Sequence, residues 1–170
     1  LRLIVGGLHA FDTDPMNDQY KATIKHHWEQ VTEASGQPFN YAFFEREGFV
    51  LDTEPACRAT VVVRNMNPDV LLPFYERIHK GYYVEDTDTT KLETFLDYAE
   101  KEGLDGSAFA TAFESEATKQ ETMDDFAWCQ KTGVTGFPTV VLREDTTMAA
   151  LTVGYQPFDT IKPVLDAWVS

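Results

Sequence analysis

Gly133-Val134-Thr135-Gly136-Phe137-Pro138-Thr139, running directly into Val140-Val141-Leu142, is the stretch on which the reading of this chain turns. Proline has no N–H to give to a β-ladder, so a proline just ahead of an apolar run marks a strand start or an edge. X-Pro is also the peptide type for which cis costs least, about 0.5–1 kcal/mol over trans. A Gly-aromatic-Pro-Thr turn, in which a cis Phe137-Pro138 bond is cheap, is therefore expected to lead into a strand over 139–143. Glu144 to Thr147 reads as a polar turn, Met148 to Val153 as a second strand, and Pro157 to Val169 as a helix with proline in its first turn. Phe158, Ile161, Val164, Leu165 and Trp168 recur at helical spacing, which predicts one buried face.

Leu1 to Gly7, a short apolar run closed by two glycines, suits a strand buried on both faces in a parallel pair. Most of what lies between the two ends reads as helix. One helix opens at Asp14-Pro15, carries Tyr20, Ile24, Trp28 and Val31, and stops at Ser35-Gly36. An aromatic loop-like segment follows over 37–51. Asp52-Thr53-Glu54-Pro55 opens a second helix to about Asn65, and Asn67-Pro68 a third that ends at Lys80-Gly81. The fourth starts at Asp88-Thr89 and stops at Gly103; the fifth covers 105–113, and the sixth runs from about Glu116 to just before Gly133. The order is strand, a block of helices, strand, strand, helix: an α/β sheet interrupted by an all-α insertion.

At 170 residues, 43% hydrophobic and 13% aromatic, the chain has the makings of a buried core and not of a disordered segment. Fourteen basic against 28 acidic residues leave a formal charge of −14, which disfavours phosphate backbones and anionic lipid as partners. No nucleic-acid or membrane partner is expected. No segment approaches the roughly 18 apolar residues that span a bilayer. Cys57 and Cys129 are the only two cysteines, 72 positions apart, and form neither a Cys-x-x-Cys nor a zinc-like pair. Sparse cysteine favours a reducing, cytoplasmic setting. His26 and His27 are adjacent on a helix and point apart, so no metal site is expected, and Gly6-Gly7 is better explained by close backbone packing than by nucleotide binding.

Three motifs and the order of elements resemble the DsbA family of thioredoxin-like proteins. The likeness is closest to its disulfide isomerase/oxidoreductase branch, related to 2-hydroxychromene-2-carboxylate isomerases. The motifs are Leu1-Arg2-Leu3-Ile4-Val5-Gly6-Gly7-Leu8, Leu51-Asp52-Thr53-Glu54-Pro55-Ala56-Cys57-Arg58-Ala59 and Gly133 to Thr139. The resemblance implies an α/β, thioredoxin-like fold with a large all-helical insertion. Residues 1–8 and 115–170 would form the thioredoxin-like part and 9–114 the insertion. It further implies a strand and a Cys-x-x-Cys helix ahead of Leu1, an extra segment of roughly 20–30 residues given the size of a βαβ unit.

The function implied is that of a thiol–disulfide oxidoreductase or isomerase. Its substrate would be a thiol- or disulfide-containing protein or a small-molecule thiol, held at Thr135, Gly136, Phe137 and Pro138, with Thr53 and Cys57 lining the cleft. The alternatives are a glutathione-dependent isomerase or transferase of the chromene-carboxylate or kappa type, and a thioredoxin-like binding module without catalysis. Glutathione enters only with the first of these; no cofactor is expected otherwise. Cys57 also deserves weighing as a thiol. Helix dipole and Arg58 favour its thiolate, while Asp52, Glu54 and burial in the Ala59-to-Val63 run oppose it. Cys129, three residues after Phe126, fits a core-facing slot. His9 follows the glycine pair and reads as a satisfied surface group. Tyr82 and Tyr83, near Phe74 and Tyr75, are expected in the core of the insertion, with a role in gripping an unfolded or hydrophobic client as the alternative.

Overall fold

A computed structural model describes residues 1–169. The chain forms α1 (Asp18–Ser35), a 3-10 turn over Tyr41–Glu45, α2 (Glu54–Met66), a second 3-10 turn over Pro68–Val70 and α3 (Leu71–Tyr83). It continues with α4 (Leu92–Lys101), α5 (Gly106–Glu114), α6 (Glu116–Lys131), β1 (Thr139–Glu144), β2 (Thr147–Val153) and α7 (Phe158–Val169). The DsbA-like, thioredoxin-like class with a helical insertion holds: helices dominate, and a hairpin plus helix closes the chain. The two strands pair antiparallel, with an irregular register between Val140 and Val141.

The chain separates into two compact units, Leu1–Phe126 and Ala127–Ser170. In the first, α2 is the hub. Ala59 and Val63 are fully buried and Val62 nearly so, and they meet α3, α4 and α5 through Phe74, Phe95, Phe109 and Phe113, while the fully buried Val61 packs with Val5 and Phe126. A second centre forms around Trp28 of α1. Its ring stacks on Phe39 at 4.9 Å and meets Phe44 at 4.7 Å, Phe43 at 5.3 Å and Tyr83 at 5.5 Å. Tyr82 joins it through Phe43 at 5.0 Å. The tyrosine pair thus belongs to the Trp28 cluster.

Several boundaries differ from expectation. Leu1–Gly7 is not a strand and buries only Val5; side chains hold two of its backbone groups. The Val5 N–H donates to Asp125 Oδ2 at 3.1 Å, and the Leu3 carbonyl accepts from Arg64 Nη1 at 2.7 Å. Arg64 is held in turn by Asp125 at 2.6 Å and Glu121 at 2.7 Å. Because Val5 packs with Val61 and Phe126, compactness groups residues 1–8 with the helices, a different cut from 1–8 plus 115–170. α1 starts at Asp18, since Asn17, and not Asp14, caps it by accepting from the Tyr20 N–H at 2.9 Å. α4 begins at Leu92, because Asp88 instead closes a turn on the Thr90 N–H and hydroxyl at 3.0 and 2.6 Å. α7 keeps the predicted spacing, but its face is not buried. Phe158 and Val164 are 60% and 56% exposed, and the two-stranded hairpin is too narrow to cover them.

Candidate functional site

In the first unit, the residues singled out by sequence gather where α2 begins. Gly7 has φ +59°, a left-handed conformation that glycine adopts without the strain a Cβ brings. Its missing Cβ also makes room for Phe126, whose ring atoms would lie 2.4–2.8 Å from that carbon. The chain then turns through His9. The His9 N–H donates to Thr53 Oγ1 at 3.0 Å, and the Thr53 N–H donates to the His9 carbonyl at 3.2 Å. Thr53 stands at the helix start but spends its hydroxyl on His9, so α2 has no side-chain cap from it. Asp52 Oδ1 accepts from the N–H groups of Phe11 at 2.8 Å and Glu54 at 2.9 Å, which fixes the turn against the helix.

Cys57 sits one turn into α2, half-buried and with a free thiol, so no disulfide joins it to Cys129. Burial pushes its pKa up to about 12; a hydrogen bond from the Gly7 backbone opposes this, and Glu54, Asp125 and Asp52 reinforce it. The expected help from Arg58 does not arrive. That guanidinium pairs with Glu54 at 3.0 Å, donates to the Phe113 carbonyl at 3.2 Å and lies 4.0 Å from the Phe113 ring centroid. Cys57 is therefore a neutral thiol at physiological pH and not the attacking thiolate.

One grouping carries no sequence signal. His9 Nδ1 is 3.0 Å from Asp12 Oδ2, and His9 Nε2 is 2.8 Å from the Tyr20 hydroxyl. His9 is satisfied, as expected, but by a carboxylate in its own turn and a phenol on α1, eleven positions away.

In the second unit, Thr135 to Pro138 form the predicted turn, with the Phe137-Pro138 bond cis. Thr139 Oγ1 donates to the Gly136 carbonyl at 2.7 Å, and the Gly154 N–H donates to the Pro138 carbonyl at 2.8 Å. The loop is thereby tied to both strands while Phe137 stays 44% exposed. Val134, Thr135 and Thr139 line one side of a hollow of about 420 Å³, with Trp128, Lys131, Met148 and Val153 on other sides. Cys129 is buried, with its carbonyl accepting from the Val134 N–H at 2.9 Å, a backbone role at the base of the loop.

Among the described residues, no group of three or more His, Cys, Asp or Glu could hold a metal ion, and no helix is long and apolar enough to cross a membrane.

No curated protein matches this chain. Among solved structures it is similar to a protein from Nitrosomonas europaea, provisionally named a protein disulfide isomerase. That likeness has a TM-score of 0.90 and 34% identity over 96% of this chain and 78% of the other. It is also similar to the cytosolic disulfide reductase DsbM from Pseudomonas aeruginosa, with a TM-score of 0.79 and 25% identity over 99% of this chain and 83% of that one. The same protein with GSH gives 0.76 at 25% identity. The family model of the DSBA-like thioredoxin domain matches residues 10–166. This chain belongs to the DSBA-like thioredoxin domain family.

Proposed function

We propose that the protein is a thiol–disulfide oxidoreductase that works in the cytoplasm with a small thiol of the glutathione class. In this reading, residues 1–8 and 115–170 form the thioredoxin-like part and 9–114 the helical insertion. Thr135, Gly136, Phe137 and Pro138 hold an extended substrate backbone, and Thr53 and Cys57 line the cleft. The observation that carries it is the 135–139 loop, bonded to both strands at Gly136 and Pro138 while Phe137 stands exposed. Likeness to a cytosolic disulfide reductase, solved also with GSH, supports the compartment and the thiol.

Within these residues the chain supplies a platform and not the nucleophile, since Cys57 is held neutral and Cys129 is buried. The attacking thiolate would belong to a Cys-x-x-Cys ahead of Leu1. The full-length protein should catalyse glutathione-dependent reduction of a peptide disulfide, and C57A should retain that activity. Mass spectrometry after alkylation should find two reactive cysteines besides Cys57 and Cys129. A full-length protein with neither activity nor extra reactive cysteines would leave the binding-module reading standing. A serine where the first of those cysteines is expected would favour the glutathione-dependent isomerase or transferase.

A further inference from the structure

The hollow beside the 135–139 loop lies wholly within the second unit, and Trp128, Val141, Met148 and Val153 give it an apolar wall. Its volume of about 420 Å³ falls in the range of ligand sites, about 300–1,000 Å³. Met148 is 47% and Val153 73% exposed, although both are large apolar side chains. The strand irregularity builds this wall. In a regular strand Ala150 and Val153, three apart, face opposite sides. The register shift between Val140 and Val141 sets Ala150 opposite Val141 and Val153 opposite Thr139, and both line the hollow. Thr135 and Thr139 border it as well, so it is continuous with the loop.

One cation stands on the lining. Lys131 is exposed in the last turn of α6, and its ammonium has no ion-pair or hydrogen-bond partner among the described residues. The unit's other two basic side chains are engaged: Lys162 pairs with Asp166 at 2.6 Å, and Arg143 donates to the Asp145 carbonyl at 3.2 Å. Residues 127–170 hold three basic against four acidic side chains, whereas 1–126 hold 11 against 24. The hollow belongs to the near-neutral part of an acidic chain, where a carboxylate meets a free ammonium and not a crowd of its own sign.

We propose that this hollow recognises an unfolded peptide segment of the disulfide substrate. It takes a large apolar side chain near the reacting cysteine, and Lys131 receives an Asp or Glu two residues from that side chain. This extends the oxidoreductase reading, on which it rests, from the loop to the surface beside it. An extended segment turns side chains two apart to the same face, about 6.6 Å from each other. A backbone held along Thr135 to Pro138 therefore sends side chains near the cysteine over the hollow that Thr135 and Thr139 border. The flexible thioether of Met148 adapts to different apolar groups, so the wall selects bulk and Lys131 selects charge.

The test uses full-length protein with carbon-13-labelled methionine methyls, and peptides with serine in place of cysteine, so that binding is read without exchange. Of the four methionines, Met148 is the one on the lining, and M148L assigns its signal. A peptide with Leu and Glu two apart should shift the Met148 methyl. It should bind about two- to tenfold tighter than the same peptide with Lys for Glu, the scale of an exposed ion pair set against a like-charge contact. K131E should invert that order. An order unchanged in K131E, or a Met148 methyl unmoved at millimolar peptide, would overturn the proposal. So would a Met148 methyl that a soluble paramagnetic agent fails to broaden in the free full-length protein. The hollow would then be covered by the chain itself or, where protection grows with protein concentration, by a second copy. Serine peptides that shift Met148 while no peptide disulfide is turned over would overturn the oxidoreductase reading, and with it the disulfide substrate, leaving a peptide-binding module. Turnover without the Met148 shift would overturn the hollow alone.

Discussion

Gly7→Ala is the sharpest structural test of how the first unit is assembled. A Cβ at Gly7 would lie 2.4 Å from Cζ, 2.6 Å from Cε1 and 2.8 Å from Cε2 of Phe126, all below the 3.0 Å that real Cβ atoms keep. The ring has little room to retreat, since Phe126 is 7% exposed and packed with Val5 and Val61. Overpacking of this kind costs about 1–3 kcal/mol. Forcing alanine into φ +59° adds about 1–2 kcal/mol. The expected loss is about 2–5 kcal/mol, or a fall of about 4–20 °C in Tm at about 2–4 °C per kcal/mol for a chain of this size. Circular dichroism melts of the single variant and of Gly7→Ala in a Phe126→Ala background separate the two contributions. Phe126→Ala removes the collision, so within it Gly7→Ala should cost only the backbone part, about 1–2 kcal/mol. An equal cost in both backgrounds would refute the collision, and a cost below about 0.5 kcal/mol, the level of an ordinary surface change, would refute both contributions.

Asp125→Ala should destabilise by about 3–5 kcal/mol in guanidinium titrations, because it leaves Arg64 short of a buried partner and frees the Val5 N–H; a loss under 1 kcal/mol would contradict the clamp. Cys57 in the native state should resist iodoacetamide at pH 8, whereas unfolding should expose it to rapid labelling. Its folded pKa lies above the ordinary 9.0, so its contribution to stability is complete below pH 9 and is lost as pH rises from 9 towards about 12. Denaturant midpoints of wild type should therefore fall over that range more steeply than those of Cys57→Ala. Phe137→Ala should leave stability within about 0.5 kcal/mol, as expected of an exposed side chain, and raise KM for a peptide disulfide with kcat little changed. An unchanged KM would remove Phe137 from substrate contact.

The fold was legible where local chemistry decides it. Helix stops at Gly36 and Gly133, the apolar run of α2, the turn at Asp145 and the proline ahead of β1 are set by neighbours in sequence, and the elements fall close to where those signals place them. Signals failed where several residues competed for one role. Asp14-Pro15 is the start that the sequence suggests for α1, and only the geometry of the Tyr20 N–H selects Asn17. Of the Leu1–Gly7 run only Val5 is buried and no residue joins a ladder; the Val5 amide and the Leu3 carbonyl are held by Asp125 and Arg64 instead. Tyr82 follows Phe74 by eight positions on one helix face, yet those eight residues span about 12 Å, enough to enter another cluster. The loop at 135–138 was legible from its proline. The bond from His9 to Tyr20 joins a turn to a helix, and nothing in their spacing marks it.

The amide of Val5 and the carboxylate that receives it are 120 residues apart. On the ribosome, where synthesis runs at about 5–20 residues per second, the amide is made about 6–24 s before its acceptor exists. During that interval the four helices α2 to α5 can reach one another through contacts already synthesised, and Arg64 can hold the Leu3 carbonyl, while the bond from Val5 to Asp125 cannot yet form. The bond from Val5 to Asp125 is thus among the last contacts of the first unit to form, after the packing of α2 to α5 is already possible.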